Sequence, residues 1–407
     1  MNWKWIVLAV MALGTLYDVL LNVVVARSAN NPTPKNVADI YDAQTYQRWK
    51  AYRAEKGKLQ MLSTLASFLL LFVLLITNAH AAFASLFPKR AGVQMVAVVL
   101  LQTLVDTVKG VIFGYVDTMV IEEKYGFNRS TMKTFVVDQI RNLIIGFGLT
   151  CGLLLALMAL HTNLGDWVVV LFAGVLFVFT LLVSFLYPVF SRLGNKFTPL
   201  EEGELKTKLM DLLQKHGYHV KAIEVMDASR RTTKLNAYFT GFGKMKTIVL
   251  FDNLLGAMST DEICAVFAHE LGHGLNKDVL KNQILNLVNL LTMSVVVWLS
   301  VKFVGLHTDF GFETVNYGFA YILLGIGLGL VQPLLGMLIN ANSRRAEYRA
   351  DRQAIAEGYG EALVVALKKL SRDNFAHLAP SKVQVLLEYS HPPLSQRIAA
   401  IEKEMET

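Results

Sequence analysis

Seven stretches of this chain are long and apolar enough to cross a bilayer: residues 5–25, 61–83, 92–116, 140–160, 167–189, 284–304 and 317–339. A helix rising about 1.5 Å per residue needs about 20 of them to cover the hydrocarbon. The third stretch carries Asp106 and Lys109 and the fourth begins next to Arg141, so their apolar signal is weaker. The first lacks the small-residue cleavage site of a signal peptide and is expected to stay attached. Between spans one and two, residues 41–60 read as a polar helix running on into span two. After span five the pattern becomes amphipathic. A helix is predicted over 202–216, stopped by Gly217, and short strands over 222–226, 236–239 and 247–251. Gly241-Phe242-Gly243-Lys244 supplies the turn of a β-hairpin. The predicted fold class is an all-α membrane protein of seven transmembrane helices with a small α+β region. Residues 1–190 hold spans one to five with loops 27–60 and 117–139, and 191–280 form a soluble segment. Residues 281–342 hold the last two spans, and 343–407 a carboxy-terminal region. There is no internal repeat or low-complexity tract.

Composition agrees: 54% of the 407 residues are hydrophobic and the mean hydropathy is +0.42. The net charge of +7 is not a nucleic-acid footprint, because the basic residues cluster in particular loops. Lys4, Lys89, Arg90 and Lys302 fall on one side of the membrane. Arg27, Lys35, Arg48, Lys50, Arg53, Lys56, Lys58, Lys124, Arg129 and Lys133 fall on the other, with 191–280 and the carboxy-terminal region. The positive-inside rule makes that second side cytoplasmic. Two cysteines far apart, Cys151 and Cys264, cannot build a disulfide framework.

The candidate chemistry lies in Ala268-His269-Glu270-Leu271-Gly272-His273-Gly274. On a helix His269 and His273 share a face and can point at one zinc ion. Glu270, roughly 100° round, cannot ligate with them but can reach a water there. Ser259-Thr260-Asp261-Glu262 reads as a capping box opening this helix. Ile263, Val266, Phe267 and Leu271 recur at helical spacing, and Gly274 is the expected stop. The same pattern fits two core histidines beside a surface glutamate, so a third ligand matters. An even number of crossings separates His269 from the segment after residue 339, which returns to the same side. There Glu347 and Asp351 are four residues apart on one helix face. Glu347 is a candidate third ligand, and Asp351 a candidate acceptor for a ligating histidine's other ring N–H. Pairing of both carboxylates with Arg344, Arg345 or Arg349 at a solvated helix end fits the spacing equally well.

At this point a series of motifs resembles the CAAX prenyl protease 1 family of integral-membrane zinc metalloproteases. Glu123-Lys124-Tyr125-Gly126-Phe127-Asn128 is similar to its E-K-x-G-F-N loop. The stretch from Asn195 through Pro199 to Leu205 resembles N-K-F-T-P-L-x-x-G-E-L. Met226-Asp227-Ala228-Ser229-Arg230-Arg231 and Asn236-Ala237-Tyr238-Phe239 precede the histidine motif. Ser343 through Asp351 resembles S-R-x-x-E-x-x-A-D, and Ser390-His391-Pro392-Pro393 with Arg397-Ile398 closes the series. The resemblance implies seven helices forming a barrel around a large chamber. It implies one zinc ion per chain held by His269, His273 and Glu347, with Glu270 as base. Asn236, Ala237 and Tyr238 would lie on the strand that pairs with substrate, and His391 and Arg397 would reach the scissile carbonyl or its neighbour. The implied substrate is a prenylated C-a-a-X protein or peptide that loses its last three residues. The implied setting is a bacterial inner membrane, or the endoplasmic reticulum and inner nuclear membrane, with a monomeric enzyme.

Two other readings stand beside this one. A quality-control membrane protease would keep the chemistry with non-prenylated substrates, although seven spans and the 126–128 loop argue against it. A transporter or channel with a structural metal would use Asp18, Asp106 and Lys109, which lie within spans where charge is costly. It leaves Glu270 and the Glu347–Asp351 pair without a purpose.

Overall fold

The computed structural model describes residues 2–192, 194–218, 222–230, 233, 235–240 and 247–407, with only the backbone course at 187–190 and 238–240. The expected turn at 241–244 lies outside the described residues. In chain order the helices begin with α1 (Trp3–Ser28), α2 (Ala43–Ile76), the short α3 (Ala79–Ala84) and α4 (Ala91–Tyr115). Next come α5 (Met132–Leu164), α6 (Val168–Ser191), α7 (Glu204–Lys215) and α8 (Asp252–Ala257). Then follow α9 (Thr260–Leu275), α10 (Asp278–Lys302), α11 (Gly305–Thr308), α12 (Tyr317–Ala356), α13 (Gly360–Asp373), α14 (Lys382–Glu388) and α15 (Leu394–Met405).

All seven expected spans fall on helices, although the second, 61–83, is broken at Asn78 (φ 55°), where α2 gives way to α3. Residues 132–186 form one apolar run of 55 residues, but Gly165 at φ 57°, ψ −137° breaks it. The two halves, α5 and α6, pack on each other and supply two crossings. Three helices outrun the bilayer most, α5 with its 33 residues among them. α2 has 34 residues and starts in the polar 41–60 stretch, capped by Asp42, whose carboxylate accepts from Thr45 N–H at 2.6 Å. α12 has 40 residues, about 60 Å of helix against about 30 Å of hydrocarbon, so its last turns project beyond it.

The spans close a ring in the order α1, α2, α4, α5, α6, α10, α12 and back to α1. At most 28% of any span's most apolar window is buried, so the wall is one helix thick. Leu62, Leu69, Val108, Ile144, Val178 and Leu338 are more than half exposed on it, which suits lipid outside. Buried apolar clusters plug both ends: two at one end, around Met11, Phe310 and Phe319 and around Met95 and Phe172, and one at the other around Trp49, Ala268, Leu363 and Ile398. Asp106 and Lys109 both pair and line space inside the ring. Their charged atoms are 3.7 Å apart, Lys109 donates to Ser67 Oγ at 2.8 Å, and both border a cavity of about 400 Å³.

The soluble segment carries a four-stranded sheet in the order β1 (Phe197–Pro199), β2 (Ala222–Met226), β4 (Thr247–Phe251), β3 (Ala237–Thr240). β3 and β4 are antiparallel as the expected hairpin requires, and β3 lies at the sheet's edge. Three details differ from expectation. β1 is absent from the expected strands, and it holds Pro199 because an outer strand tolerates a residue without an N–H. β2 pairs with β4 in parallel, a long-range choice that no local pattern encodes. The short helix α8 separates the hairpin from α9.

Candidate metal centre

The site is held by α9 meeting the projecting end of α12. The capping box at the start of α9 forms: Glu262 N–H donates to Ser259 Oγ at 3.3 Å and Ser259 N–H to Glu262 Oε2 at 2.9 Å. Gly274 does not stop the helix, which runs to Leu275 and is capped by Asn276. A methyl group on Gly274 would sit 2.5 Å from the Tyr218 hydroxyl, so its smallness serves packing rather than termination. Gly272 does the same against α12, where a Cβ would lie 2.9 Å from Ala350 Cα. Small residues Ala265 and Ala268 on α9 and Ala350 and Ala354 on α12 are fully buried. These residues let the two helices approach closely enough for short side chains to meet.

His269, His273 and Glu347 meet there, each offering a ligand atom within 4.8 Å of the others. His273 Nε2 is 3.3 Å from Glu347 Oε1 and His269 Nε2 is 3.5 Å from Glu347 Oε2. The opposite ring nitrogens are both occupied. His269 Nδ1 lies 2.9 Å from Asp351 Oδ1, and His273 Nδ1 lies 3.1 Å from Asp278 Oδ2. With each Nδ1–H given to a carboxylate, each Nε2 presents its lone pair to the centre. Glu347 Oε2 is buried without a hydrogen bond, although Arg397 Nη1 is 3.2 Å away. Neighbouring ligands on a tetrahedral ion with bonds of about 2.0–2.1 Å are about 3.4 Å apart, close to the two separations observed. The donor set of two imidazoles and a carboxylate fits zinc.

A buried ionic frame supports these groups. Arg397 grips Asp351 through Nε at 2.9 Å and Nη2 at 2.6 Å. Burial opposes ionisation of Asp351, but the hydrogen bonds from His269 and Arg397 outweigh it and hold its carboxyl below the usual range. Asp278, at the start of α10, accepts from Arg349 Nη2 at 2.6 Å. Burial likewise opposes its charge, and Arg349 and His273 overcome it. Sequence reasoning missed Asp278, and offered Arg349 only as a partner for Glu347 or Asp351. The available signal was an acid five residues after His273 and a cation inside the Ser343–Asp351 motif.

The cluster opens into a cavity of about 350 Å³ lined also by Asn236, Ala237, Glu270, His391 and Arg397. His391 is 64% exposed; its Nε2 is 3.3 Å from Glu347 Oε1, and its Nδ1 is 2.9 Å from Ser390 Oγ. Arg397 is buried and committed to the carboxylates rather than free in the cavity. Just ahead of β3, Phe251 N–H donates to the Asn236 carbonyl at 3.2 Å. The strand's alternation then turns the backbone groups of Asn236 and Tyr238 toward β4 and leaves the Ala237 carbonyl directed off the edge. The Ala237 N–H is met by Asn236 Oδ1 at 2.9 Å.

Comparison with known proteins gives a consistent result. A family model described as the CAAX prenyl protease N-terminal, five membrane helices, matches residues 22–192, and that of peptidase family M48 matches residues 199–405. The chain is 30% identical to a CAAX prenyl protease 1 homolog of Oryza sativa subsp. japonica, over 97% of this chain and 96% of that one. It is 33% identical to CAAX prenyl protease 1 of Saccharomyces cerevisiae, over 74% and 70%. Its fold is similar to the crystal structure of S. mikatae Ste24p, with a TM-score of 0.92 and 26% identity over 99% of both chains.

Proposed function

The chain belongs to the CAAX prenyl protease 1 family of membrane-embedded M48 metalloproteases, and from that premise we propose that it removes the last three residues of prenylated C-a-a-X peptides at a single zinc site. The observation that supports this best is the shared cavity. The His269–His273–Glu347 cluster and the open edge of β3 border the same 350 Å³ of space, so a peptide paired to the strand lies beside the ligands.

In this reading His269, His273 and Glu347 hold the zinc, with Asp351 and Asp278 orienting the two imidazoles. When bound there, zinc supplies Lewis acidity and brings a water's pKa down to about 7. Substrate adds as a strand beside β3, anchored first at the Ala237 carbonyl. Glu270 takes the proton of the attacking water and delivers it to the departing amine. His391, exposed on the wall of that cavity, donates to the oxygen that gains charge. Arg397 acts by holding Asp351 and balancing the charge of Glu347. The basic loops at this end suggest that the site faces the cytoplasm of a cell or organelle membrane, with the enzyme working as a monomer.

The test is hydrolysis by the purified full-length chain of a farnesylated C-a-a-X peptide against the same peptide unprenylated. Loss of the C-terminal three residues from the farnesylated form is expected. Glu270→Ala and Glu347→Ala are both expected to be inactive, only the second being poor in zinc. Equal cleavage of both peptides would transfer the function to a protease of non-prenylated substrates.

A further inference from the structure

One end of β3 is not a free sheet edge. The alternation that turns Asn236 and Tyr238 toward β4 directs the backbone groups of Leu235, Ala237 and Phe239 away from it. At Leu235 both groups are already taken. Its N–H donates to Asn374 Oδ1 at 3.2 Å and its carbonyl accepts from Asn374 Nδ2 at 3.4 Å. One side-chain amide therefore fills the next rung of the ladder. A peptide beside β3 can pair at the Ala237 carbonyl and at Phe239, then meets Asn374.

Past this stop lies a second cavity of about 770 Å³. Leu235 borders it, as do three arginines from separate elements: Arg48 on α2, Arg129 ahead of α5 and Arg372 on α13. Arg48 is fixed, with Nη2 donating to the Tyr125 carbonyl at 2.6 Å and the guanidinium 5.8 Å from the Phe375 ring centre. Arg129 is exposed. Arg372 pairs through Nε with Asp373 at 2.8 Å, the acidic residue found among the described lining. Three cations against one carboxylate leave the groove positive. It adjoins the first cavity where Leu235 gives way to Asn236, and again where Leu370 and Arg372 border one each.

We propose that this basic groove binds the C-terminal carboxylate of the peptide and that Asn374 ends the paired strand, together fixing the cut at a set distance from the free C-terminus. The inference rests on the protease reading above. The charge also sets direction: only a peptide antiparallel to β3 carries its carboxyl end toward Leu235, and antiparallel pairing is the slightly stronger kind. Lengths agree. Leu235 is about 7 Å along the strand from Ala237, and three extended residues reach about 10 Å. A chain opened beside Ala237 thus brings its third residue to the groove.

Two peptides that differ only in a free or amidated C-terminus test this on the full-length enzyme. In the unaltered protein the amide is expected to raise KM about tenfold with little change in kcat. In Arg129→Gln/Arg372→Gln, whose side chains are exposed, the free acid's KM is expected to rise to the amide's value. Asn374→Ala is expected to release fragments longer than three residues from extended peptides, read by mass spectrometry. Equal KM for acid and amide in the unaltered protein overturns the inference while leaving the protease reading intact, as does discrimination that survives the double substitution. No cleavage of either peptide by the unaltered protein overturns the reading beneath it as well.

Discussion

Asp351→Asn separates the support of the metal centre from its ligands. The substitution keeps the size and one acceptor oxygen, and removes the charge that accepts from His269 Nδ1 at 2.9 Å and from Arg397 at 2.6 and 2.9 Å. Two consequences follow. First, the amide can present its NH2 group to His269, no longer enforcing the tautomer that frees Nε2 for zinc. Losing such a partner costs about 10- to 100-fold in metal affinity, or about 1.4–2.7 kcal/mol. Second, the buried Arg397 loses its principal counter-charge. Breaking one partner of a buried pair costs about 3–5 kcal/mol, and the low end applies because Glu347 remains 3.2 Å from Arg397. Zinc affinity by chelator competition and thermal unfolding in detergent, with and without zinc, would measure the two effects separately. Zinc affinity within twofold of the parent protein would refute the argument, since the His269–Asp351 contact would then do nothing for the ligand.

Gly272→Ala forces a methyl group to 2.9 Å from Ala350 Cα, so α9 must move off α12. Overpacking of about 1–3 kcal/mol and weaker zinc binding are expected, measured by unfolding and chelator competition. His391→Ala should lower kcat about 10²- to 10³-fold if it is the oxyanion donor, with an unchanged melting temperature, because the side chain is 64% exposed. His307, at the far end of the ring, is fully buried, its Nε2 3.0 Å from the Ser300 carbonyl; burial pushes its pKa down to about 4. Its neutral form is the folded one, so its contribution is complete above pH about 6.5 and lost as pH falls from there toward 4. That loss amounts to about 3 kcal/mol. A pH series of unfolding midpoints should show this slope, and His307→Gln should flatten it.

Much of this protein is legible along one dimension. The seven apolar stretches, the capping box before His269 and the polar extension of α2 are local patterns, set by solvation and backbone hydrogen bonding within a few turns. Even the nomination of Glu347 came from counting crossings, because a bilayer converts the parity of spans into a statement about sides. What lay beyond reach was pairing between distant segments. The parallel β2–β4 register, the Asp278 buttress behind His273, and the capture of Leu235 by Asn374 all join groups whose sequence neighbours say nothing of each other. Arg397 illustrates the difference most directly. Its motif implies a hand held out to substrate, whereas its guanidinium is buried between Glu347 and Asp351 at the cavity wall, the place from which we propose that it acts as a brace. A charge buried in low dielectric must find its partner nearby, and which partner is nearby is decided by how the helices pack.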